Sequence, residues 1–365
     1  MITMYSFLIS VFWGSVLTLL LFLCRRSTKF IEIFGVNILL FLYAVCIMRF
    51  CFPFEFHFTK EIETPKLYNP INNLLYQNSI KDIAVYQILL ILWLAVSLLL
   101  FLHFILKYVK FVRIVNRIPH YRTKQMEQVI GAVIPEADRH RVCVVPIKQD
   151  GDPQTTGFFK AYILIPHRQY KKKELSFILL HEYTHFKKRD SFIKLTAEIV
   201  RIIFWWNPFV YLLKSELNSI LEMRCDRIVS QNRKQSEARY YLKTILKYAS
   251  QDIYAPARQR LFHSSLSGDN QMKQRFVVLL RYRRRKYGKA VISICFLFVL
   301  TLMLLTYLFV FQPAYYLPLT DSHFLDVYQE NPDGSFTIFT GNENFVISAE
   351  EFSLMYQSIT NRKDE

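Results

Sequence analysis

The chain is short of glycine, of paired cysteine and, over half its length, of acid. Nine glycines stand against 32 phenylalanines and 22 tyrosines in 365 residues, and 52% of the chain is hydrophobic. That balance is too apolar for two or three ordinary soluble domains and too charged for a pure transporter. The six cysteines (24, 46, 51, 143, 225 and 295) form no closely spaced pairs, so there is no disulfide framework to read. The acid deficit lies in residues 107–289, which hold 37 Lys and Arg against 15 Asp and Glu. No nucleic-acid recognition motif accompanies that charge, so DNA binding is the weaker explanation of it and no direct nucleic-acid partner is expected.

What the chain does have is long apolar runs. Residues 4–23, 30–52, 83–106 and 290–311 are each long enough to cross about 30 Å of hydrocarbon as a helix. The first has a charge-free start and no small-residue cleavage pattern, which fits an uncleaved anchor better than a signal peptide. Basic clusters border the spans: RRSTK after the first, KYVKFVR after the third and RYRRRKYGK before the fourth. Lys and Arg collect on the cytoplasmic side. The expected topology is therefore an outer amino terminus, a cytoplasmic stretch over 107–289 and an outer tail over 312–365, which carries 2 basic and 9 acidic residues. The fold class expected is a mainly α-helical membrane protein with four transmembrane helices. It has an α+β domain on the inside and a small α+β module on the outside.

The inner stretch contains "HEYTHFKKRD", residues 181–190. On a helix, His181 and His185 are one turn apart and share a face, so both imidazoles can reach one Zn2+ ion. Glu182 is turned by about 100° from His181, beside the ion rather than on it, where it can act on a water as general base and then acid. The pattern alone is only fairly specific, the competing reading being a solvated helix with two stray histidines. A third ligand strengthens it, because catalytic zinc keeps three protein ligands and an open position. In "SILEMRCDRIVS", Glu222 and Asp226 again share a helix face. Glu222 can be the third ligand, and Asp226 can accept the outer N–H of a ligating histidine. The competing reading pairs both with Arg224 and Arg227 at the surface. Cys225 is a rival ligand read here as packing.

The run from "TTGFFKAYILIP" through "HEYTHFKKRD" and "WWNPF" to "LEMRCD" resembles the metalloprotease domain of the BlaR/MecR antirepressor family of membrane zinc peptidases. The likeness covers about residues 140–230. It implies a gluzincin-type fold, a cytoplasmic site, zinc on His181, His185 and Glu222, and Glu182 as the general acid–base residue. It also implies a winged-helix transcriptional repressor as protein substrate, and a connector cut by the protease itself or by a sister subunit of a homodimer. Antibiotic-sensing members carry a penicillin-binding domain after the last span. Here about 54 residues follow it with no Ser-x-x-Lys among them, so no β-lactam sensor is expected.

"GFFKAYILIP" (157–166) reads as a strand serving as the edge for a substrate backbone, or else as a plain core strand, with "RVCVVP" as its neighbour. Residues 191–213 read as a helical hairpin at the cytoplasmic lipid interface, because a fifth crossing would separate Glu222 from His181. A bond within Ala255–Gly268 is a candidate autolytic site, with a plain flexible linker as the equal alternative. The tail reads as a hairpin around Pro332-Asp333-Gly334, a third strand and a helix capped by Ser348 and Glu351, serving either as a binding module or as a cap on the last span. The functional alternative to a signalling protease is a housekeeping Ste24-like quality-control protease, which would have no need of the last span and the acidic outer module.

Overall fold

The amino-terminal apolar blocks form long helices in the computed structural model, which describes residues 4–53, 59–64, 70, 74–75, 78–80, 83–118, 123–147, 152–231, 233–249, 274–275, 289–312, 328–340 and 343–353. The stretch proposed for autolysis, 255–268, lies outside the described residues. Helices α1 (Met4–Arg25) and α2 (Thr28–Cys51) come first, and α2 breaks at Gly35, whose φ of 71° glycine adopts at little cost. Strand β1 (Lys60–Glu63) and the small pair β2 (Asn78–Ile80) and β3 (Ile83–Ala84) follow. Helix α3 (Val85–Arg117) continues past residue 106, taking Lys107, Lys110 and Arg113 into the same helix. These three helices are long and apolar enough to cross a membrane. Leu99 and Leu106 of α3 remain 65% and 68% exposed, a surface suited to hydrocarbon.

A three-stranded sheet comes next. Helix α4 (Lys124–Val133) leads to β4 (Val142–Ile147), β5 (Gln154–Thr156) and β6 (Ala161–Pro166), in the order β4-β6-β5. β6 is parallel to β4 and antiparallel to β5, so it is the centre of the sheet and wholly buried. Its residues alternate: Ala161, Ile163 and Ile165 pack with α4 and the helix of the histidines, while Tyr162 and Leu164 pack against Val115 and Phe111 of α3. Covering both faces makes the run continuously apolar. The expectation that 157–166 is the free edge is therefore corrected: residues 157–160 are a turn, and the edges are β4 and β5. Gly157 is required in that turn, since its φ is 113° and a Cβ there would lie 2.1 Å from the Lys160 carbonyl oxygen.

Four helices follow: α5 (Lys172–Lys187), α6 (Asp190–Ile203), α7 (Pro208–Ser230) and α8 (Gln235–Ala249). The break between α6 and α7 falls at Phe204–Asn207. There Asn207 caps α7 by accepting from the Phe209 N–H at 2.9 Å, and Pro208 occupies the first turn. α1, α2, α6 and α7 share one core, including Leu39, Leu42, Val200, Leu213, Leu217 and Ile220. Where these helices cross the bilayer, such a core gains by close van der Waals packing rather than by leaving water. Within this core Arg25, at the end of α1, pairs through two nitrogens with buried Glu216 of α7. The membrane helices thus grip the helix that carries Glu222.

Helix α9 (Lys289–Leu305) stops short of the expected end at 311. Phe309–Gln312 is strand β7, paired in parallel with β1. Beyond Leu305 the carbonyls turn to other partners: Thr306 O accepts from buried Arg49 at 3.3 Å and Tyr307 O from the Thr59 hydroxyl at 3.0 Å. The following Phe-Val-Phe favours a strand. Thr64–Asn69 with Pro313–Glu365 make a second unit. In it β8 (Tyr328–Glu330), β9 (Phe336–Thr340) and β10 (Glu343–Ile347) pair antiparallel in the order β10-β9-β8. Ser348 and Glu351 form a capping box, and the rings of Phe336 and Phe352 stack at 3.9 Å.

Candidate metal centre

Helix α5 presents His181 and His185 from one face, and α7 brings Glu222 up against both. His181 Nε2 lies 3.1 Å from His185 Nε2 and 3.2 Å from Glu222 Oε2, and His185 Nε2 is 3.4 Å from Glu222 Oε1. Zinc–ligand bonds of 2.0–2.2 Å at tetrahedral angles separate neighbouring donors by about 3.3–3.5 Å. Two imidazoles and a carboxylate at that spacing could hold such an ion. Both histidines are buried, and Glu222 is half-buried.

The outer nitrogens of the two histidines are tied down separately. His185 Nδ1 donates to Asp190 Oδ2 at 2.7 Å, and Asp190 also accepts from Arg224. Asp190 returns under α5 because Arg189 takes the left-handed conformation, φ 55°, between α5 and α6. His181 Nδ1 donates to the Tyr241 hydroxyl at 2.8 Å, and that hydroxyl donates to Asp226 Oδ1 at 2.7 Å. Asp226 Oδ1 is itself 3.3 Å from His181 Nδ1. The sequence reading gave Asp226 direct contact with a histidine; here Tyr241 shares that role. Such outer bonds set which ring nitrogen faces inward.

Electrostatics follow from the packing. Burial pulls the His181 pKa down, but hydrogen bonds and charge from Asp226 and Glu222 outweigh it, lifting the value from 6.5 to about 10. His185 is also raised, burial being outweighed by the Glu222 charge and the Asp190 bond. Burial works to raise Glu222, yet the histidines and Arg275 hold it well below the usual carboxylate range. Cys225 sits 3.3 Å from His185 Nδ1, on the outer side of that ring. Burial and then the Asp190 charge push its thiol far up, so it stays protonated and a poor ligand.

The Glu182 carboxylate meets the edge of the sheet. The Thr155 hydroxyl of edge strand β5 lies 2.8 Å from Glu182 Oε2 and 2.9 Å from its main-chain oxygen. Sequence reasoning gave no role to Thr155, Asp190, Tyr241 or Arg275. Of these only Asp190 carried a signal, as a carboxylate just beyond the second histidine.

A family model described as BlaR1 peptidase M56 matches residues 12–279, most of the chain. The chain belongs to that family. This M56 chain is 28% identical over 156 residues to regulatory protein BlaR1 of Staphylococcus aureus, covering 42% of the chain and 26% of that protein. It is 31% identical over 100 residues to regulatory protein BlaR1 of Bacillus licheniformis, covering 27% and 17%. It is 32% identical over 123 residues to the methicillin resistance mecR1 protein of Staphylococcus aureus, covering 32% and 21%. The match thus spans about a quarter or less of these relatives' length. With its three apolar helices, the M56 chain is a multi-pass membrane protein.

Proposed function

We propose that this protein is an integral-membrane zinc endopeptidase that transduces a signal by cleaving a cytoplasmic transcriptional repressor, itself, or both. The observation that carries the reading is the set of three donor atoms 3.1–3.4 Å apart, with Glu182 next in sequence to His181 and its carboxylate held by Thr155. His181, His185 and Glu222 would hold the ion, a donor set that suits zinc. Bound there, zinc supplies a Lewis acid that acidifies water and polarises a peptide carbonyl. Glu182 takes the proton of the attacking water and returns it to the departing amine. The Thr155 hydroxyl keeps its carboxylate in place for both transfers. Tyr241–Asp226 and Asp190 hold each imidazole's outer nitrogen as an N–H, so that the inner nitrogen is the one turned toward the ion. β5, the edge nearest Glu182, is where an extended substrate segment adds as a strand.

The same proposal places residues 107–289 in the cytoplasm, α9 as a fourth span and the acidic second unit outside, on the distribution of Lys and Arg. A winged-helix repressor as substrate and a homodimer as working form come from the family likeness, and the regulatory names of the relatives favour them over a housekeeping role. The test is to follow the intact repressor in cells carrying wild type or Glu182→Ala. Loss of repressor with wild type and persistence with the variant is the expected result. Equal loss in both would remove the protease role.

A further inference from the structure

Behind each imidazole stands a buried carboxylate, and each carboxylate carries an arginine. For Asp190 the arginine is Arg224, from α7 itself. For Asp226 it is Arg275, whose Nε donates to Oδ2 at 2.7 Å and whose Nη2 donates to Oδ1 at 3.0 Å. The same Nη2 lies 3.5 Å from Glu222 Oε2, so one guanidinium spans the carboxylate behind His181 and a candidate ligand. Arg275 belongs to none of the helices that build the site. It lies in the connector that leads to α9, and its neighbour Gln274 accepts from Arg25 Nη1 at 2.9 Å, beside the Arg25–Glu216 pair. Two adjacent connector residues therefore dock at two places: Gln274 on Arg25 at the end of α1, and Arg275 on Asp226 and Glu222 of α7.

We propose that Arg275 is a positioning residue for the metal centre, supplied by the connector, so that the geometry at His181 and Glu222 holds only while the connector is docked. The inference rests on the metal reading above. Asp226 is 1% exposed, and with Tyr241 donating to Oδ1 its remaining acceptor capacity is taken by the guanidinium. Without Arg275 a buried carboxylate is stranded a few ångströms from Glu222. Its unbalanced charge then pulls the two remaining donors, His181 Nδ1 and the Tyr241 hydroxyl, out of their present arrangement, and the orientation that turns His181 Nε2 inward is lost. His185, with its own arginine from α7, is unaffected by connector docking.

The test uses the full chain in detergent, stripped of metal and titrated with zinc against a chromophoric chelator, then with Co2+ followed by its visible absorption. Arg275→Gln should bind zinc about 10–100-fold more weakly than wild type and shift the Co2+ bands. Arg275→Lys should recover part of both. The double variant Arg275→Gln/Asp226→Asn leaves no stranded charge, since the amide oxygen still accepts from Tyr241. It should fold even if the single variant does not, and bind zinc better than it. Wild-type affinity and wild-type bands in Arg275→Gln would overturn the proposal, as would a double variant no better than the single. Wild type that takes up no zinc overturns the metal reading as well, and so differs from failure of Arg275 alone.

Discussion

Replacing Asp190 with asparagine removes one charge and almost no volume, and so isolates what the carboxylate does. Asp190 is 1% exposed, and it accepts from both His185 Nδ1 and Arg224. An amide offers one oxygen and one NH2 group, so one of those two donors must face another donor. If the oxygen stays with His185, Arg224 loses its counter-charge with its side chain only 12% exposed. Removing one partner of a buried pair costs about 3–5 kcal/mol of stability. If the oxygen turns to Arg224, His185 no longer has a fixed tautomer, and metal affinity falls about 10–100-fold, about 1.4–2.7 kcal/mol. The two losses are alternatives, so at least one must appear. The assay pairs zinc competition titration with thermal unfolding of the metal-free protein in the same detergent. An Asp190→Asn protein within twofold of wild-type zinc affinity and within about 0.5 kcal/mol of its stability would refute the reasoning.

Two further predictions concern protons and the sheet edge. In the metal-free protein His181 and His185 bind protons more tightly folded than unfolded, with His181 at about 10 against 6.5. Their contribution to stability is therefore complete below about pH 6.5 and is lost as pH rises to about 10. Zinc must displace those protons, so its affinity climbs over the same interval, read by calorimetry at pH 7, 8 and 9 in buffers of different ionisation heat. A flat affinity would contradict the assigned protonation. Thr155→Val removes a hydrogen bond to the Glu182 carboxylate, a contact of about 1.5–3 kcal/mol, so kcat falls about 10–100-fold while zinc affinity is unchanged. A parallel loss of zinc would mean that Thr155 supports the fold rather than the carboxylate.

The residues that come together at the site divide by how far their contacts depend on tertiary structure. His181, Glu182 and His185 were legible because helical spacing alone puts the histidines on one face. Glu222 and Asp226 were legible as a second such pair, though nothing local says that α7 packs against α5. Asp190 is only five residues from His185 but in another helix, reached through a left-handed residue that no periodicity announces. Tyr241 and Arg275 lie far along the chain, and their contacts exist only because α8 and the connector return to α7. Position within the sheet was equally hidden: the apolar run at 161–166 fits a strand buried on both faces, but pairing order is a property of three separated segments. The end of α9 at Leu305 depended on Arg49 and Thr59, side chains that come from the far end of α2 and the loop after it.

The docked pair at 274–275 changes what a single nick in the backbone would mean. Any break between Ala249 and Gln274 leaves Arg275 on the piece that carries α9, away from the piece that carries the histidines. A contact whose local concentration was set by a tether then depends on two fragments staying neighbours in the bilayer. The molecule would record such an event irreversibly, for as long as the polypeptide lasts.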